Sequence, residues 1–121
     1  MKAEIRQFNV DSEYFFDEGC YIVEVSNHAG DPALSIARVR VPPGVSTRWH
    51  KLKDTVERYV ILEGEGLVEV GGLQSQQVRS GDTVIIPAQC PQRITNNGAS
   101  DLIFLALCTP RFDPNNYQSM Q

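Results

Sequence analysis

The chain has 121 residues, a net charge of -4, and 41% hydrophobic against 21% charged residues. That length suits one domain able to bury a core without disulfide staples, and the mixture is ordinary for a globular protein. The eleven Lys and Arg residues are scattered, which argues against nucleic acid, because a phosphate backbone calls for a clustered basic patch. The first residues, MKAEIRQFNVDSEYFFDEG, hold no apolar stretch long enough for a signal peptide or a membrane span. No apolar helical period persists along the chain. Short β-rich runs recur instead, separated by turn residues. Residues 20–25 form the first run, ended by Asn27-His28-Ala29-Gly30-Asp31-Pro32. Residues 34–41 alternate, with Ala37, Val39 and Val41 on one face and Ile36, Arg38 and Arg40 on the other, until Pro42-Pro43-Gly44 breaks the strand. Runs at 57–62 and 67–70 follow, split by Glu63-Gly64-Glu65-Gly66, and Gly71-Gly72 reads as a two-residue hairpin turn. Ser80-Gly81-Asp82 turns the chain into a strand at 83–86 stopped by Pro87. A strand at 92–95 is stopped by Asn96-Asn97-Gly98, and 102–108 is the last and most apolar run. Many short strands at near-even spacing predict an all-β sandwich or barrel. We expect a single domain over 1–121, with the barrel at about 19–109 and a polar, Pro-broken tail at 110–121. Phe112 and Tyr117 either anchor that tail or leave it frayed.

Two stretches carry a family resemblance. In the first, Gly44, His50, Glu57 and Gly64 stand in order, with Leu52 two residues after His50. In the second, Gly81, Pro87, Gln89, Gln92 and Asn96 do. The pair resembles the two motifs of the cupin superfamily, in which a Gly, a His-x-His, a Glu and a Gly are followed by a Gly, a Pro-x-Gly, a His and an Asn. Leu52 stands where the second motif-one His belongs, Gln89 where a Gly belongs, and Gln92 where the motif-two His belongs. The resemblance covers roughly residues 33–109 and implies a cupin double-stranded β-helix, or jelly-roll barrel. The wording of residues 57–64 and of 108–112 is similar to small single-domain cupins grouped as mannose-6-phosphate-isomerase-like.

Strand alternation supports a polar pocket. With His50 inward, Arg48 and Leu52 are expected inward too; with Glu57 go Tyr59 and Ile61; with Gln92 go Cys90, Ile94 and Asn96. An imidazole, a carboxylate and an amide inside an apolar barrel must satisfy one another, a metal or a ligand. The resemblance implies a divalent ion (Mn, Fe, Zn or Ni) held by His50, Glu57 and Gln92. Arg48 would then bind an anionic substrate group, and Tyr59 would act as a general acid or hydrogen-bond donor. The chain has two histidines in all, so a His-rich site would need His28, which sits in a turn. Two functions remain open: a metal-dependent isomerase or oxygenase acting on a sugar or organic acid, and a non-catalytic barrel that binds or senses a small molecule. Cys20, Cys90 and Cys108 are far apart and form no C-x-x-C pair. Reduced thiols and a cytoplasmic location are therefore expected. Exposed edge strands and the aromatic residues Tyr14, Phe15, Phe16 and Phe112 predict a homodimer.

Overall fold

The computed structural model describes residues 1–120. Eleven strands form two antiparallel sheets among these residues. They are β1 (Tyr14–Phe16), β2 (Cys20–Ser26), β3 (Ser35–Val41), β4 (His50–Leu52), β5 (Val56–Glu63), β6 (Glu65–Val70), β7 (Gln76–Arg79), β8 (Thr83–Ile86), β9 (Gln92–Thr95), β10 (Leu102–Thr109) and β11 (Tyr117–Ser119). One sheet runs β1-β2-β3-β10-β5-β8 and the other β11-β4-β9-β6-β7. Strands distant in sequence lie side by side, which is the jelly-roll arrangement the short alternating runs anticipate.

The inward faces follow the period of two. Val39 and Val41 on β3, Tyr59 and Ile61 on β5, Val68 and Val70 on β6, and Phe104 and Ala106 on β10 all join one core. The opposite face of β3 is exterior: Arg38 and Arg40 turn outward, and Arg40 forms a bidentate pair with Glu13 at 2.6 and 3.1 Å.

Several motif residues act on the backbone. Gly64 has φ +79, and a Cβ there would lie 2.5 Å from the Asp101 carbonyl oxygen. Only glycine fits between β5 and β6. Asn96, fully buried, donates to the carbonyls of Val41 and Ser100 at 2.8 Å and accepts from Gly98 N–H at 2.9 Å. It ties three segments together. Gln89 keeps φ +64, so the left-handed conformation persists where the family pattern has glycine.

Two expectations change and one open alternative closes. Gly71-Gly72 is the centre of a turn, closed by Leu73 N–H donating to the Val70 carbonyl at 3.0 Å, but not a two-residue hairpin loop: β6 ends at Val70 and β7 starts only at Gln76. The tail is not frayed, because Tyr117–Ser119 pairs with His50–Leu52. Phe16 and Phe112 are half-buried and line the interior pocket, leaving Tyr14 and Phe15 as the exposed aromatics of that set.

Candidate functional site

A single cross-strand register brings the two motifs together: His50 on β4 faces Gln92 on β9. Thr47 pins the approach to β4, its N–H donating to the Ile94 carbonyl at 2.9 Å and its hydroxyl accepting from Ile94 N–H at 3.0 Å. On the opposite sheet, Glu57 and Tyr59 share the inward face of β5, with Cys108 across from Glu57 on β10. A cavity of about 70 Å³ lies among them, large enough for a few waters or the end of a small ligand. Leu52, Phe104, Ala106, Val39 and Ala37 supply much of its apolar wall.

The floor is a hydrogen-bond chain. The Tyr59 hydroxyl donates to the Gln92 carbonyl oxygen, and the Gln92 amide nitrogen donates to Glu57 Oε1 at 2.8 Å. The Cys108 thiol lies 3.8 Å from Glu57 Oε2 as a weak donor. Burial raises Glu57 to about 7 despite the opposing hydrogen bonds from Gln92 and Cys108. Burial also drives the Tyr59 phenol well above its ordinary range, with the Glu57 carboxyl adding to it. Tyr59 is thus a fixed donor at the end of the chain, holding the amide that holds the carboxyl.

The side wall is a second cluster, which the sequence reading did not assign. The β1–β2 turn, closed by Gly19 at φ +104, directs Glu18 over the barrel. Its Oε2 lies 3.4 Å from His50 Nδ1. Burial, and then the nearby Glu57 charge, push Glu18 up to about 8, while Tyr117 and Arg48 pull it back. The Tyr117 ring stacks on His50 with centroids 5.0 Å apart and planes 18° apart. Burial lowers His50, against the opposing hydrogen bond to the Arg48 carbonyl, and so favours the neutral imidazole. Its Nδ1 donates to the Arg48 carbonyl at 2.8 Å, which assigns the bare lone pair to Nε2. Nε2 makes no hydrogen bond to the protein among the described residues, and His50 lines the cavity.

Of the residues singled out from the sequence, His50, Glu57, Gln92 and Tyr59 converge, and Leu52 packs beside them. Arg48 does not share their face. It is exposed and lies outside the lining, because β4 begins only at His50 and alternation does not extend back to Arg48. Its charge still reaches Glu18 and Tyr117. Cys90 sits half-buried in a loop, and His28 pairs with Glu4 at 3.0 Å, away from the pocket. Glu18 lies in a turn and Tyr117 in the tail, outside both motifs, so the sequence pattern assigns Glu18 no role and Tyr117 only the anchoring of the tail. The Phe16-to-Gly19 turn was the available signal.

The donor set does not fit a metal ion. Both ends of the Gln92 amide are engaged, its oxygen by Tyr59 and its nitrogen by Glu57. Leu52 is apolar where the motif supplies an imidazole. Among the described residues no three His, Cys, Asp or Glu side chains group closely enough to hold one. Glu18 approaches His50 on its Nδ1 side, away from the open Nε2, which leaves Nε2 and Glu57 as a weak pair for a first-row ion.

The barrel, its motif glycines and its inward His and Glu define a cupin-type protein. The cupin domain pattern matches residues 37–108, and the chain belongs to that family. It is 33% identical over 87 residues to an uncharacterised protein of Methanocaldococcus jannaschii, covering 72% of this chain and 69% of that one. It is 37% identical over 75 residues to an oxalate-binding protein of Thermotoga maritima, covering 62% and 61%. The chain thus spans under two thirds of that second relative's length. A crystal structure described as a predicted oxalate decarboxylase, also from Thermotoga maritima, superposes with a TM-score of 0.69 at 29% identity, over 75% of this chain and 80% of that one. Among the described residues no helix is long and apolar enough to cross a membrane.

Proposed function

We propose that this chain is a small-molecule-binding cupin whose ligand sets its polar end among Glu57, His50 and Glu18 and its body against the apolar wall. The observation that carries this reading is His50 Nε2: a neutral, nearly buried nitrogen with no protein donor, bordering a cavity. An acceptor that opens onto a cavity rather than onto protein is met there by water or a ligand. Chemistry here would be proton transfer. Nε2 is positioned to accept a proton, and two carboxyls raised to about 8 and about 7 can hold or give one near neutral pH. Tyr59 and Gln92 would orient Glu57, and Arg48 at the rim would bias Glu18. The wording of residues 57–64 supports a kinship with the small single-domain cupins grouped as mannose-6-phosphate-isomerase-like and lends no substrate by itself.

The test is a thermal-shift screen of metal-stripped protein against small polar molecules, with His50→Gln beside wild type. Ligands that raise the wild-type melting temperature and lose that effect in the variant are expected. The alternative is a metal-dependent isomerase or oxygenase. It draws on His50 Nε2 and Glu57 facing one pocket. Stoichiometric uptake of manganese, iron, zinc or nickel by wild type would select it and overturn the metal-free reading.

A further inference from the structure

Resting on that small-molecule reading, we propose that the pocket selects an organic cation, an amine with an apolar or aromatic body, and rejects dicarboxylates. Charge carries the first part. Three carboxyl side chains line the cavity, Glu18, Glu24 and Glu57, and no Lys or Arg does. Arg48 is the basic group whose charge reaches Glu18, and it lies outside the lining. A dianion would enter a cavity with no cationic partner, which low local polarity makes costly, whereas an ammonium group can be matched by a carboxyl that gives up its proton.

The walls carry the second part. Tyr14, Phe16, Phe112 and Tyr117 line the same cavity as the carboxyls, with Tyr59 and Phe104 deeper in it. Aromatic faces attract a cation through their quadrupoles, and ring walls beside carboxylates form a recognised recognition mode for ammonium groups. The arrangement is braced. Phe16 meets Tyr117 edge-on at 5.4 Å, Tyr59 meets Phe104 at 4.4 Å, and the Tyr14 hydroxyl donates to Glu24 at 3.1 Å.

His50 supplies an independent pointer. Its side chain is 3% exposed, and its bare Nε2 accepts but cannot donate. It calls for an N–H or O–H donor. An ammonium group offers such donors to Nε2 and to the carboxyls together, and a carboxylate ligand offers none.

Calorimetric titration of the full chain in chelator-treated buffer with benzylamine, benzyl alcohol and oxalate tests the proposal. Benzylamine is expected to bind about tenfold or more tightly than benzyl alcohol, and oxalate to give no saturable heat. Glu18→Gln and Glu57→Gln should each narrow the amine preference. Glu24→Gln, an isosteric change at the one exposed position of β2, should narrow it as well. Oxalate or benzyl alcohol binding as tightly as benzylamine would overturn the cation inference and leave the small-molecule reading standing. Saturable heat from none of the three would overturn both.

Discussion

The Glu57 carboxyl and the Gln92 amide meet across the two sheets at 2.8 Å, and the same amide accepts the Tyr59 hydroxyl. Gln92, 1% exposed, stands between two buried groups. Gln92→Leu would strip a partner from each. Because an unmet buried polar group costs about 1–3 kcal/mol, a loss of about 2–4 kcal/mol is expected in urea unfolding. Ile94→Val, next along the same face, should cost only about 0.5–1.5 kcal/mol. Equal losses for the two would mean the amide carries no more than its volume.

Stability should fall as pH rises from 6.5 to 8. Glu18 and Glu57 are raised to about 8 and about 7. In this window the folded protein keeps carboxyl protons that the unfolded chain has already released. The unfolded state then binds fewer protons, and unfolding free energy declines with pH. His50, lowered by burial, works the other way, but only below about pH 6.5, where the unfolded imidazole charges. The decline should be on the order of 2 kcal/mol across the window. Glu18→Gln should flatten most of it. A wild-type profile that rises or stays level would show that these carboxyls ionise freely in the fold.

Dialysis against zinc or manganese followed by elemental analysis should leave wild type well below one ion per chain. The double variant Leu52→His with Gln92→His would give β4 and β9 three imidazoles beside Glu57 and should load to near one ion per chain. Retention should weaken below pH 6 as the imidazoles protonate. If wild type loads as fully as the double variant, the engaged Gln92 amide is no obstacle to coordination.

The thiols should titrate unequally. Cys20 and Cys108 are buried, at 1% and 4% exposure, and burial pushes both well above the usual thiol range, whereas Cys90 is half-exposed in a loop. A disulfide-exchange reagent should modify about one thiol per native chain and three after denaturation. Rapid modification of all three in the native state would mean that the barrel opens readily.

For assembly, β1 is an edge strand and carries exposed Tyr14 and Phe15. An uncovered apolar edge favours pairing with a second copy. Light scattering at high micromolar concentration should therefore give about twice the 13.5 kDa chain mass. A mass of one chain would refute the dimer.

Strand alternation and turn residues made most of the barrel legible: β2, β3, β5, β8, β9 and β10 lie within about a residue of where the pattern puts them. His50, Glu57, Gln92 and Tyr59 were legible for the same reason, since parity along a strand fixes a face. Arg48 failed because parity was carried across a strand boundary that no turn residue announced. Glu18 and Tyr117 were invisible to that logic. One rides on a turn whose direction is set by Gly19, and the other on a tail strand that exists only because β4 offers it an edge. Such placements depend on long-range pairing that no local pattern encodes.

The family match stops at 37 on one side and 108 on the other. Phe16, Glu18, Ile22, Glu24, Ser35, Phe112 and Tyr117, all cavity-lining, lie beyond those limits. The matched region holds His50, Glu57, Tyr59 and Gln92, and the two ends of the chain, outside it, furnish much of the cavity wall. A name borrowed across the matched region therefore says little about what this barrel admits. Exchanging residues 14–26 and 111–120 with those of a relative should move ligand preference with the exchanged ends while the inner hydrogen-bond chain stays in place.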